Sequence, residues 1–387
     1  MRTTLTLTDR LCALAREASP PAPDSGGHGP EADPVVLADR PDGTVVGLGG
    51  VVAKAHPPVA QGDLGERADS GGSHDPGDVA DLADVDELTV RLRIAAHPLL
   101  AGILLPPLTP GGTAADEPYM RPPHLYGGRP ATLWPRGRPV DPDAPESAPW
   151  EAAGTLLARL HSVSTEALGA ELPRTVPQMR GPQKAARALK RMRAALARRD
   201  APAAPPAALT AAATAAEAAW AKLPAWCRNE HSTDRPSPVS ALCHGDFHLG
   251  QLVRHPADGG AWQLIDVDDL GLGDPAWDLA RPAAWFATGL LPAESWQRFL
   301  HAYESAADAT TPGARSLSGG PGTWPPSLDA AARALTVQTT ALAVAKAHGA
   351  RRPLDEAETA CAEACHRIAG LPAPGQRDET GLSLDPQ

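Results

Sequence analysis

Two runs constrain what this chain can be: Ala241-Leu-Cys-His-Gly-Asp-Phe-His-Leu-Gly-Gln-Leu252 and Gln263-Leu-Ile-Asp-Val-Asp-Asp-Leu-Gly-Leu-Gly-Asp-Pro-Ala-Trp-Asp-Leu-Ala280. Each joins an apolar, strand-like segment to a loop crowded with histidine and aspartate. Acidic and imidazole groups beside buried strands are costly unless each finds a partner or a ligand. The pattern therefore points to chemistry rather than to packing.

Phosphoryl transfer is one chemistry that wants this set. It requires a positioned hydroxyl, an orienting carboxylate, a metal on the phosphates and a cation on the nucleotide. The kinase solution draws these from a His-x-Asp-x-x-x-x-Asn loop, from an Asp ending the next strand, and from a strand lysine paired with a helix glutamate. Here His244-Gly-Asp246 is followed, after four residues, by Gln251, and Leu264-Ile-Asp266 follows a hairpin. Upstream lie Lys54, in Val51-Val-Ala-Lys-Ala55, and Glu87 on the next expected helix. No Gly-x-x-x-x-Gly-Lys-Ser/Thr run occurs, which excludes that phosphate-binding loop.

Lysine usage sharpens Lys54. The chain has only five lysines, at 54, 184, 190, 222 and 346. A lysine in an apolar strand of so lysine-poor a protein needs a reason. The basic helix expected over Lys184–Arg199 has an apolar stripe of Ala185, Leu189, Met192 and Leu196, so its charges read as a solvated face. The net charge of −11 argues against nucleic acid or an anionic membrane as partner. Five scattered cysteines suggest no disulfide framework, and no apolar run reaches the ~18 residues of a membrane span. A cytoplasmic protein is expected.

The periodicities divide the chain into two lobes. Residues 1–34 read as a short helix and a Pro/Gly-rich linker. Residues 35–134 read as a strand-rich lobe: a three-strand meander over Val35–Ala55, an acidic insertion at about 60–80, a helix from about Asp84 to Ala96, and strands at Ile103–Leu105 and Ala131–Trp134. Residues 135–370 are mostly helical, and 371–387 read as a disordered tail. Gly47-Leu-Gly-Gly50 suits the turn between the second and third strands, leaving Arg40-Pro-Asp-Gly43 as a nucleotide-covering turn with a single glycine.

The ordered set resembles the aminoglycoside phosphotransferase-like family of small-molecule kinases. The resemblance rests on His244-Gly-Asp-Phe-His-Leu-Gly-Gln251, Ile265-Asp266, Gly273-Asp-Pro-Ala-Trp-Asp-Leu-Ala280 and Leu156-Leu-Ala-Arg-Leu-His-Ser162. It implies an α+β, two-lobed protein-kinase-like fold: a small antiparallel-sheet lobe with one helix and a larger helical lobe. It also implies transfer of the γ-phosphate of ATP or GTP, with Mg²⁺, to a hydroxyl of an aminoglycoside, sugar or amino alcohol. Asp246 would orient the acceptor hydroxyl. Asp266 and Gln251 would hold the metal, and Lys54, paired with Glu87, would contact the phosphates. Asp278 would hydrogen-bond the catalytic loop, and the backbone near Trp134 would form the nucleotide hinge. Gln251 stands where the family has Asn; Gly-Gln after the loop histidine also looks like maltose-phosphorylating relatives. No nucleic-acid or membrane partner is expected, and the protein is expected to be a monomer or homodimer. The thin glycine turn favours one rival, a non-catalytic kinase-like module that binds a nucleotide or a partner protein; a second, a metal-dependent phosphohydrolase using the Asp/His cluster, leaves Lys54 and the two-lobe order unexplained.

Overall fold

The structure is a computed structural model, which describes residues 5–18, 33–40, 43–57, 87–108, 124–126, 128–172, 174–197, 206–230, 240–310 and 324–371. The acidic insertion at 60–80, the tail beyond 371 and the middle of the Arg40–Gly43 turn lie outside these residues.

The small lobe is an antiparallel sheet of β1 (Val35–Arg40), β2 (Gly43–Leu48), β3 (Val51–Ala55), β4 (His124–Tyr126) and β5 (Arg129–Pro135), in the order β1-β2-β3-β5-β4. The meander forms because β-branched runs are separated by turn-forming glycines; Gly49 takes φ 53° in the β2–β3 turn. Strand β3 alternates buried and half-buried positions, with Val51, Ala53 and Ala55 inward and Lys54 on the opposite face. Helix α1 (Leu7–Ala18) lies on the inward face. Its Leu11, Leu14 and Ala15 pack with Val46, Val51, Ala53 and Leu133 in a core of their own. The amphipathic start of the chain is thus part of this lobe's core.

One expected strand is corrected. Ile103–Leu105 does not join the five-stranded sheet, whose fifth strand is His124–Tyr126. Instead Leu104 bridges Leu264, with Leu105 N–H donating to Leu264 C=O and Leu264 N–H to Ile103 C=O. Ile103 and Leu104 belong to the helical lobe's core, a demand that a short apolar run satisfies as well as a strand.

The larger lobe comprises α3 (Trp150–His161), α4 (Thr165–Glu171), α5 (Gly181–Ala197), α6 (Ala207–Ala221), α7 (Ala276–Ala287), α8 (Ala293–Thr310), α9 (Pro326–Ala350) and α10 (Glu356–Ala369). Helix α9, 25 residues long with 13 of them buried and most of those small, packs against α5, α6, α7 and α10. Its alanines let neighbouring helices approach closely. Between helices sit two small sheets: β7 (Ala241–Cys243) pairs with β10 (Gly271–Gly273), while β6 (Arg138–Pro139), β8 (Leu252–His255) and β9 (Ala261–Leu264) form a second. Chain passing from β5 through Arg136-Gly137 into β6 links the lobes. At Gly137 an added Cβ would lie 2.6 Å from the Val253 side chain, so the link hugs β8.

The result is an α+β fold of a small antiparallel-sheet lobe and a helical lobe. No helix of the described residues is long and apolar enough to cross a membrane.

Candidate active site

The loop after β7 is held from below. Phe247 is buried and stacks on Phe299 of α8 at 6.1 Å between centroids, with Trp150 and Trp296 around it. Asp278, in the first turn of α7 and fully buried, accepts the backbone N–H of His244 (2.6 Å) and of Gly245 (2.8 Å). His161 Nε2 completes this carboxylate's shell at 3.0 Å and its Nδ1 meets the Tyr303 hydroxyl at 2.9 Å. His161, Cys243 and Asp278 cluster within 4.8 Å, but Asp278 is already occupied by N–H donors, so the cluster is a buried brace. Gly245 has φ +82°, and a Cβ there would stand 2.3 Å from Asp269 C=O. Only glycine lets the loop pass so close to the 3₁₀ turn at Val267–Asp269.

So braced, the loop presents Asp246 to the cleft. Its Oδ2 accepts from Lys184 Nζ at 2.6 Å and its Oδ1 from Arg281 Nη2 at 2.7 Å. Burial opposes the charge on Asp246, yet Lys184 and Arg281 outweigh it and hold the carboxyl below its usual range. His248 caps the 3₁₀ turn Leu249–Gln251 by accepting Gly250 N–H at 3.0 Å. Burial and Arg281 push this imidazole down to about 4, so it is neutral near pH 7.

The second carboxylate cluster follows β9. Asp266 adopts φ 66°, ψ 78°, a left-handed conformation uncommon outside glycine, aspartate and asparagine. Its Oδ1 meets Lys54 Nζ at 2.6 Å and its Oδ2 lies 3.4 Å from Gln251 Nε2. Asp268 also reaches Lys54 (2.9 Å) and His56 Nδ1 (3.1 Å). Burial works against the Lys54 charge, but Asp266 and Asp268 more than compensate, so its pKa is raised and it remains an ammonium. His56 continues through Nε2 to Thr132 Oγ1 (2.8 Å), which also accepts Trp134 Nε1–H (2.9 Å). A polar chain thereby runs from Trp134, beside the lobe link, to the Asp266–Asp269 turn.

The expected pair of Lys54 and Glu87 is not made. Glu87 begins the described part of α2, the helix over 87–96, and accepts Arg91 Nη1 (2.9 Å) and Arg180 Nη2 (2.6 Å). Two guanidiniums hold it toward the helical lobe, while Lys54 has two nearer carboxylates. Arg91, itself buried, donates Nε–H to Leu270 C=O at 2.8 Å and ties α2 to the aspartate turn.

The solvated-face reading of the basic helix also needs correction at its first turn. Lys184 does not face solvent; it bridges Asp246 and Asp269, the latter at 2.7 Å. Lys184, Arg281, Asp268, Asp269 and His56 were not singled out as site residues by sequence reasoning. Lysine scarcity, applied to Lys54, applies equally to Lys184; the others carry no comparable signal in one sequence.

Lys54, Asp266 and Gln251 therefore meet where the two lobes join, Asp246 is tied to the same aspartate turn through Lys184 and Asp269, and Glu87 is held apart by Arg91 and Arg180. The chain is similar to several known proteins. The solved structures it is similar to include a choline/ethanolamine kinase family protein from Mesorhizobium loti, with 14% identity over 93% of this chain and 94% of that one and a TM-score of 0.45. A macrolide 2'-phosphotransferase from Brachybacterium faecium has 18% identity over 90% and 94% with a TM-score of 0.40. An amicoumacin kinase in complex with AMP-PNP, Ca²⁺ and Ami has 15% identity over 87% of each chain with a TM-score of 0.48. No curated protein sequence matches. The APH family model, described as the phosphotransferase enzyme family, matches residues 103–317, more than half of the chain. The chain belongs to that phosphotransferase family.

Proposed function

We propose that this protein transfers the γ-phosphoryl group of ATP or GTP to a hydroxyl of a small molecule. The observation that carries the reading is the convergence of Lys54, from the sheet lobe, on Asp266, from the helical lobe, beside the loop bearing Asp246. The donor set fits a hard divalent cation such as Mg²⁺: the Asp266 carboxylate is about one-third exposed, and the Gln251 side-chain amide abuts it. Turning that amide over presents a carbonyl oxygen in place of its NH₂. Asp266 and Gln251 would hold the ion. Such an ion would supply positive charge to offset that of the phosphates.

The chain's own groups supply the rest. Lys54 offers the phosphates a permanently charged ammonium. Asp246, kept ionised by two cations, orients the acceptor hydroxyl rather than acting as a strong base. That suits a loose transition state in which little proton transfer need precede phosphoryl transfer. The Trp134–Gly137 backbone serves as the hinge against which the nucleotide base rests.

Aminoglycosides, sugars and amino alcohols all offer the required hydroxyl. Lys184 and Arg281 in contact with Asp246 disfavour a polycation there, because each cation on the acceptor would meet one already in place. An uncharged sugar is the acceptor the site suits best. The test is a coupled assay of nucleotide consumption across sugars, amino alcohols and hydroxylated antibiotics, with Mg²⁺. Nucleotide binding without any accepted hydroxyl compound, or turnover that survives Asp246→Ala, would overturn the reading.

A further inference from the structure

Lys184 lies in the first turn of α5, a helix whose remaining basic residues play no part in the cleft. Its arrival at Asp246 is built by the chain before it. Residues 177–180 run beside β10: Leu272 N–H donates to Pro177 C=O, Met179 N–H to Leu272 C=O, and Arg180 N–H to Asp269 C=O. Helix α5 then starts at Gly181, where an added Cβ would overlap the Trp277 indole at 2.0 Å. Arg180 is pinned on the other side by Glu87. The helix start is thus located by the backbone of the aspartate turn, by α7 and by α2 together. The Lys184 ammonium sits 2.6 Å from Asp246 and 2.7 Å from Asp269.

A lysine serving only to offset buried charge would be satisfied by Asp269 alone. This one also takes one oxygen of Asp246, while Arg281 takes the other and anchors to Phe247 C=O at 3.2 Å. Each carboxylate oxygen keeps one free lone-pair direction, and both directions are set by the cations. We propose that Lys184 is a positioning residue for phosphoryl transfer, fixing with Arg281 the orientation of the Asp246 carboxylate. The proposal rests on the reading of Asp246 as the acceptor-side carboxylate.

The groups facing Asp246 are Lys184 from α5, Arg281 from α7, His248 from its own loop and Asp269 from the 3₁₀ turn. Burial alone would raise the Asp246 pKa, and Lys184 is the largest opposing influence. Removing it lets burial act against a single remaining cation, so Asp246 gains its proton at higher pH on acidification. A lysine engaged with Asp269 alone would leave that titration where it is.

The experiment compares the wild type with Lys184→Met, Lys184→Arg and Arg281→Met. It follows Mg-nucleotide turnover against pH, Mg-nucleotide affinity by calorimetry and melting temperature. For Lys184→Met we expect an affinity within about threefold of wild type, kcat lower by about 10²-fold, and the acid limb of the rate profile moved up by roughly one pH unit. Lys184→Arg should return the limb to its place even if kcat recovers only in part. Arg281→Met should move the limb in the same direction, which keeps the proposal testable if Lys184→Met folds poorly. Wild-type kcat and an unmoved limb in Lys184→Met, or a limb in Lys184→Arg that matches Lys184→Met, overturns the proposal. A wild-type protein with no Mg-nucleotide turnover instead overturns the phosphotransferase reading, and this inference falls with it.

Discussion

Lys54 and Asp266 stand 212 residues apart in the chain and 2.6 Å apart in the fold. One comes from the central strand of the sheet lobe, the other from the turn after a hairpin of the helical lobe. Their contact, reinforced by Asp268 and His56, closes the cleft on a charged seam. Such a partly buried seam gives registry between lobes more than net stability, because desolvation offsets most of the Coulomb gain.

That seam makes Asp266→Ala informative. The substitution should abolish most Mg-dependent stabilisation by nucleotide in a thermal melt at millimolar ligand. Asp246→Ala should keep that stabilisation and lose turnover by on the order of 10³-fold. Equal loss of nucleotide response in both variants would argue against separate metal and acceptor roles.

The loop bearing Asp246 depends on its glycine. Gly245→Ala must place a Cβ against Asp269 C=O at a backbone angle that L-residues rarely adopt. We expect a cost of about 1–3 kcal/mol from the backbone alone, read as a lower denaturant midpoint. Activity should fall further than stability, since the strain is released by moving Asp246.

Arg91 is the least conspicuous of the connections. It is buried, and its guanidinium satisfies Leu270 C=O, Gln178 C=O and Glu87 together. Arg91→Met leaves the Leu270 and Gln178 carbonyls without this donor, at about 1–3 kcal/mol for a buried group left unpaired, while Glu87 keeps Arg180. Hydrogen exchange should show the loss concentrated in 87–96 and the Val267–Leu270 turn. Uniform destabilisation of the whole chain would contradict that assignment.

Acid should loosen the same region. Burial opposes the charge on Glu87, but Arg180 and Arg91 prevail and lower its pKa, as Lys184 and Arg281 do for Asp246. A carboxylate with a depressed folded pKa contributes stability above its unfolded value near 4 and loses it as pH falls through the folded value. Unfolding free energy, followed by denaturant titration between pH 7 and pH 3, should therefore hold down to about pH 5 and drop below pH 4. Glu87→Gln should flatten part of that drop, and an unchanged profile would remove Glu87 from the account.

Much of this architecture was legible in the residues. The meander followed from β-branched runs and glycine turns, the helices from apolar spacing, and the loop carrying Asp246 from His-Gly-Asp beside an apolar strand. The Asp278 contact with that loop was readable from the resemblance. What misled was pairing across the fold. Glu87 sits on the expected helix, yet Arg91, one turn on, and Arg180, from a distant segment, hold it away from Lys54. Ile103–Leu105 has strand-like residues but docks singly on β9, since apolar content does not name a partner.

By itself the sequence determined the local states and the inventory of reactive groups, because propensity, periodicity and turn chemistry act over a few residues. It also marked Lys54 as unusual, in a chain that otherwise uses arginine for positive charge. Only the tertiary structure decided which carboxylate each cation meets. Coulomb attraction and desolvation depend on distances between segments far apart in the chain, and those distances are set by how α2, α5 and α7 pack around the Val267–Asp269 turn.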